Sequence, residues 1–232
     1  MPKILTIATS HSELGISNKP TGMWLEELTI PYYRFVDAGI PVTIASVKGS
    51  LIPIDPGSQK PLGKNSPSVD RFLKDSQANR AIEQTLAIEE VELSEYDAIF
   101  LPGGHGTMWD LPQCDRLAQI IAEALEQNRV VAAVCHGPVG LVSARTADGR
   151  SAIEGRKVTA FTDSEEEAVG LTNVVPFLLE TKLRELGADF QSADNFQTFA
   201  IADGNLITGQ NPASSLLVAD KVLEALKVFT PN

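Results

Sequence analysis

Cysteine is scarce in this chain: its 232 residues hold two, Cys114 and Cys135. Two such residues build no disulfide framework, and the expectation is a cytoplasmic protein with reduced thiols. Histidine is nearly as scarce, with three, and no close Cys/His/carboxylate spacing suggests a metal site. Positive charge is outweighed, 19 basic residues against 30 acidic, for a net charge of -11. That balance excludes a nucleic-acid partner, which needs a basic footprint, and docking on anionic membranes. No apolar run approaches the roughly 18–20 residues that cross a bilayer, and MPKILTIATS (1–10) has no secretory pattern. Neither GxGxxG nor GxxxxGK[ST] occurs, so no nucleotide cofactor is expected. There is no internal repeat, and the length suits one α/β domain over 1–232 with a Pro/Gly/Ser-rich excursion at about 51–90.

What the chain does contain is alternation. KILTIAT (3–9), PVTIASV (41–47), YDAIFLPGG (96–104), RVVAAV (129–134), KVTAFT (157–162), a segment near 188–193 and LIT (206–208) read as strands. Helical periodicity marks about 22–38, 113–127, 174–186 and 213–227, with 76–90 helical inside the excursion and a helix opening at CHGPVGLVSA. Strands alternating with helices predict a mostly parallel sheet covered on both faces. In such sheets ligands bind beyond the carboxyl ends of the strands. Three of those ends carry unusual chemistry here: LPGGHG, AVCHGP and AFTDSEEE.

In VVAAVCHGP a nucleophile sits at the junction of a buried strand and a helix, the pattern of a nucleophile elbow. A helix N-terminus beside Cys135 is expected to lower its thiol pKa. Gly103 and Gly104 permit a turn whose N–H groups point at a developing oxyanion, with the His136 N–H as a second donor. His136 needs an orienting partner, for which Ser164-Glu165-Glu166-Glu167 is the candidate run; Glu165 and Glu167 read as a solvated helix start. His105 either touches substrate or is satisfied by backbone. On the first helix, Glu27 borders the apolar face beside Trp24 and Pro31, where a carboxyl's pKa rises into a range useful for moving protons; Glu26 points away. Cys114 reads as structural.

The motifs TGMWLEELTIPY (21–32), LPGGHGTMWD (101–110), AVCHGP (133–138), FTDSEE (161–166) and TGQNPAS (208–214) together resemble the ThiJ/PfpI superfamily. Its architecture is shared with class I glutamine amidotransferases, and the resemblance points to the branch of glutathione-independent glyoxalase III enzymes and related heat-shock chaperones. It covers nearly the whole chain. It implies a flavodoxin-like three-layer sandwich in which Cys135 is the nucleophile, His136 its partner, Glu166 the group orienting His136, and Glu27 the proton shuttle. Gly104 and His136 would supply the oxyanion donors. The implied activity converts methylglyoxal or glyoxal to 2-hydroxy acids without cofactor or metal, and a deglycase description overlaps it. Amidotransferases place their histidine far downstream of the cysteine in a His-x-Glu pair, and no such pair follows Cys135 here. Three other readings stand beside the enzyme: a holdase binding unfolded chains, a redox sensor, and a cysteine amide or peptide hydrolase. The expected partners are a small reactive aldehyde and unfolded or glycated proteins, in a monomer or homodimer.

Overall fold

The computed structural model describes residues 1–229. The chain opens with β1 (Ile4–Ala8), crosses a long loop to α1 (Leu25–Asp37) and returns in β2 (Val42–Ser46). Strand β3 (Lys48–Ser50), helices α2 (Pro67–Phe72) and α3 (Ser76–Glu83) and strand β4 (Thr85–Ala87) follow. Next come β5 (Ala98–Leu101), α4 (Thr107–Asp110), α5 (Asp115–Glu126) and β6 (Val130–Val134). The chain closes with β7 (Lys157–Val158), α6 (Asp163–Ala168), α7 (Leu179–Glu185), β8 (Asp189–Phe190), β9 (Ala200–Asp203), β10 (Leu206–Gly209) and α8 (Ser215–Phe229).

Eight strands form one sheet in the order β3-β4-β2-β1-β5-β6-β10-β9. Its inner six run parallel, and β3 and β9 pair antiparallel at the two edges. Strands β1, β5, β6 and β10 are buried along their whole length because both faces of the sheet are covered there. On one face Leu5, Ile7, Ile99, Leu101, Val131 and Ala133 pack against Leu117, Ile120 and Ile121 of α5. On the other, Ile4, Phe100, Val130 and Ala132 meet Phe35 of α1 and Val218 and Val222 of α8. The order reverses between β1 and β5, so the loops leaving these strands diverge and open a crevice at their carboxyl ends.

Several expectations are corrected. The excursion contributes to the core: Ile52, Val69 and Phe72 are buried with Leu25 and Leu28 in a third core cluster. Its Pro and Gly residues mask that apolar spacing. The 76–90 helix stops at Glu83, because Thr85–Ala87 pairs with β2 and β3 as β4. KVTAFT does not join the main sheet; only its first two residues pair, with β8 in a separate two-stranded sheet. The segment after the elbow is a 3-10 turn, Gly137–Leu141, rather than an α-helix. Within α1, Val36 is exposed, whereas Glu27 and Pro31 are buried.

Candidate active site

Cys135 follows β6 directly and adopts φ 59°, the left-handed region that a side chain rarely occupies. Such a conformation costs on the order of 1–3 kcal/mol and persists only where its surroundings over-determine it. Here its N–H donates to the Gly209 carbonyl and its own carbonyl accepts from the Phe161 N–H, both at 2.9 Å. The bend is therefore bolted to β10 on one side and to the segment before α6 on the other.

Cys135 is 4% exposed. Burial pushes its thiol pKa well up, Glu27 adds to the rise when ionised, and the His136 N–H opposes it. This corrects the expectation of a lowered thiol pKa: a short 3-10 turn carries little dipole, and desolvation outweighs it. The site therefore holds a protonated thiol, which needs a base.

His136 supplies the neighbouring nitrogen. Its Nδ1 lies 3.3 Å from Cys135 Sγ, and its Nε2 lies 2.8 Å from Glu166 Oε2. Burial lowers the imidazole pKa to about 4, with His105 adding to the effect, so the ring is neutral near pH 7. Burial alone would raise Glu166, but hydrogen bonds from His105 and His136 outweigh it and hold this carboxyl at about 2. An ionised carboxylate only accepts, so Nε2 of His136 carries the proton and Nδ1 turns a lone pair toward the thiol.

Glu27, in the first turn of α1, is wholly buried. Its Oε2 accepts from the Gly103 N–H at 2.8 Å. Its Oε1 makes no well-formed hydrogen bond among the described residues, and the Cys135 thiol is its interacting neighbour. Burial raises this carboxyl to about 8, only partly offset by the thiol and by Gly103. The acid thus keeps its proton at neutral pH, on the oxygen that Gly103 does not occupy. Gly103 tolerates no side chain: a Cβ there would lie 2.6 Å from His136 N and 2.7 Å from Glu27 Oε2. The Gly104 and His136 amides donate to no oxygen among the described residues, and both residues line the cavity above the thiol.

That cavity holds about 190 Å³. Cys135, His136 and Glu27 form its floor, and Trp24, Phe161, Val169 and Phe196 its apolar walls. It is smaller than the roughly 300 Å³ at which drug-sized pockets begin.

Of the four side chains singled out in sequence, Cys135, His136 and Glu27 line one cavity together with Gly104, and Glu166 stands behind His136, hydrogen-bonded to it. Cys114 lies elsewhere, half-buried at the start of α5. Glu167 is exposed, as expected, but Glu165 corrects its solvated reading. It is fully buried, and its carboxylate accepts from Thr162 N–H and Oγ1, Phe196 N–H and Asn211 Nδ2. Two features escaped the sequence. His105 Nε2 donates to Glu166 Oε1 at 2.8 Å, so two imidazoles share one carboxylate; its signal was its place in LPGGHG, at one of the three unusual strand ends. Phe196 also walls the cavity, and nothing in QSADNFQT announces it.

The sequence model of the DJ-1/PfpI family matches residues 20–225. A glutathione-independent glyoxalase of Saccharomyces cerevisiae, HSP31, is 31% identical over 97% of this chain and 98% of its own length. Among solved structures, the 24 kDa rapid encystment protein of Francisella tularensis superposes with TM-score 0.93 and 39% identity, covering 97% of this chain and 99% of that one. Glyoxalase III of Candida albicans superposes with TM-score 0.88 and 29% identity over 97% of both chains.

Proposed function

The chain belongs to the DJ-1/PfpI family, and from that premise we propose that it is a glutathione-independent glyoxalase converting methylglyoxal and glyoxal to 2-hydroxy acids at Cys135. The observation that carries the reading is the Cys135 Sγ, 3.3 Å from an unprotonated His136 Nδ1 and facing a protonated Glu27 in a small apolar cavity.

The chemistry runs in four steps. Cys135 Sγ adds to C1 of the aldehyde as its proton passes to His136 Nδ1. The Gly104 and His136 amides hold the resulting C1 oxyanion, which takes the proton back from His136 to give a neutral hemithioacetal. Glu27 then donates its proton to the C2 carbonyl oxygen while His136 Nδ1 removes the C1 hydrogen, giving an enediol. Next His136 returns a proton to C2, and the C1 hydroxyl proton goes to Glu27, leaving a thioester at C1 and a hydroxyl at C2. Finally water cleaves the thioester, releasing the 2-hydroxy acid and the thiol. Carbon, oxygen and electrons balance without an external redox partner.

The cavity favours free aldehydes over chains: of a glycated protein, only a small carbonyl adduct would enter it. Two unpaired cysteines suit the cytoplasmic location that we also propose. The test is direct. Purified protein given methylglyoxal without glutathione should form lactate, and Cys135→Ser should fold normally and form nearly none. Retention of lactate formation by Cys135→Ser would overturn the mechanism.

A further inference from the structure

Three histidines are too few to advertise a metal motif, yet two of them meet at one carboxylate. Glu166 lies 30 residues from His136 and 61 from His105, so the spacing conceals their convergence. One nitrogen from each ring and a Glu166 oxygen all lie within 4.8 Å of one another. We propose that His105, His136 and Glu166 form a binding site for a borderline divalent transition ion such as zinc, and that its occupancy switches the enzyme off.

Two imidazole nitrogens and one glutamate oxygen are the protein ligands of open, three-ligand zinc sites. With bonds of about 2.0–2.1 Å, tetrahedral ligand atoms lie roughly 3.3 Å apart. Both nitrogen–oxygen pairs already stand at 2.8 Å, so a small rotation of the rings admits the ion. His105 lies on the cavity wall and is the most exposed of the three, giving the ion a route in and leaving its fourth position for water from the cavity. The surrounding charge favours a cation, the chain carrying -11 overall.

The inhibitory consequence follows from the tautomer of His136. In the free site Nε2 carries the proton, and Nδ1 is the acceptor facing Cys135. A metal on Nε2 displaces that proton and leaves it on Nδ1. Nδ1–H then donates toward Sγ and accepts nothing, so the thiol loses its base. Bound metal also draws Glu166 away from its hydrogen bond to His136. Zinc here is therefore an inhibitor and not a cofactor. Binding stands independently of the glyoxalase reading; the inhibition rests on it.

Cobalt(II) is the probe, because its visible spectrum reports both geometry and ligand type. Wild-type protein should bind one equivalent with tetrahedral bands and no thiolate charge-transfer band, and zinc should displace it. Cys135→Ser should bind cobalt within about threefold of wild type, whereas His105→Ala should bind at least about tenfold more weakly, since even loss of a group that only orients a ligand typically costs about that much. His105→Gln guards against misfolding of the alanine variant, with melting curves run on both. Zinc should also abolish lactate formation by the wild type, and a chelator should restore it. Absence of stoichiometric binding, an intense thiolate band lost in Cys135→Ser, or unchanged affinity in both His105 variants would each overturn the site. Undiminished lactate formation with zinc bound would overturn the switch. A wild type forming no lactate would sink the glyoxalase reading, while the cobalt titration still decides the site.

Discussion

His136 acts through the nitrogen that Glu166 leaves bare, so the direction of one proton decides whether Cys135 has a base. Glu166→Ala removes the orienting acceptor and should lower kcat for methylglyoxal at least about tenfold. Glu166→Gln should be worse, on the order of a thousandfold, because its amide N–H donates to Nε2 and moves the ring proton to Nδ1. Equal kcat values for the two variants would refute the tautomer argument. Glu27 allows a second test. Its folded pKa of about 8 lies above the ordinary 4.5, so the native state holds this proton more tightly than the unfolded chain. The stability tied to it is fully present below about pH 4.5 and is lost as pH rises to about 8. Glu27→Gln keeps the bond to Gly103 but cannot ionise. Its advantage over wild type in unfolding free energy, read from urea titrations, should therefore be small at pH 4.5 and grow to pH 8, a difference on the order of a few kcal/mol. A gap that does not change with pH would mean that Glu27 is not a high-pKa acid. Of these residues, Cys135 and His136 could be named from the elbow that ends RVVAAV and Glu27 from its place at the apolar face of the first helix, whereas only the family resemblance singled Glu166 out of its acidic run. The thiol's protonation could not be read from sequence, since it depends on burial contributed by several elements.

Among the elements, those with strong apolar periodicity were legible: β1, β2, β5, β6, α1, α5 and α8 stand within a few residues of their expected bounds. What escaped were segments whose structure is set by distant partners. β4 exists because β2 and β3 flank it, and the loop between β8 and β9 because Glu165 ties it down. That loop holds Phe196 at φ 61°, the residue 47% exposed and its ring 6.2 Å from that of Phe161. A bulky residue in the left-handed region points to function, and here it completes an apolar wall. Phe196→Gly relaxes the backbone where Phe196→Ala does not, so the glycine variant should be the more stable by about 1 kcal/mol in urea unfolding. Both should lose the wall. Their kcat/KM for phenylglyoxal should fall about three- to tenfold relative to that for glyoxal, the worth of an aromatic pair. An unchanged ratio would remove Phe196 from the substrate pocket.

At the scale of the whole molecule, the excursion between β2 and β5 is coupled to chemistry it never touches. Met23 N–H donates to the Pro53 carbonyl, Asp55 N–H returns the bond to the Met23 carbonyl, and Thr21 Oγ1 donates to Asp55. The same short segment receives the Gly106 N–H on Gly22 O and sends the Trp24 N–H to Gly103 O. Residues 21–24 are thus clamped between the excursion and the glycine turn whose Gly103 fixes Glu27. Gly22 is the tightest point, since a Cβ there would lie 2.2 Å from the Pro53 carbonyl oxygen, a backbone atom that cannot swing aside. Gly22→Ala should therefore separate the two layers, costing about 1–3 kcal/mol of stability. It should also lower kcat by more than tenfold, because a shift of about 1 Å in positioned groups can cost a hundredfold. Asp70→Ala is the control. It cuts tethers to the Gly63 N–H and Asn65 Nδ2 at the far end of the excursion, so it should lower the melting temperature and leave kcat near wild type. If both variants lose activity only in proportion to the fraction unfolded, the excursion acts as ordinary core. If Gly22→Ala alone loses kcat while folded at the assay temperature, the excursion positions the floor of the active site.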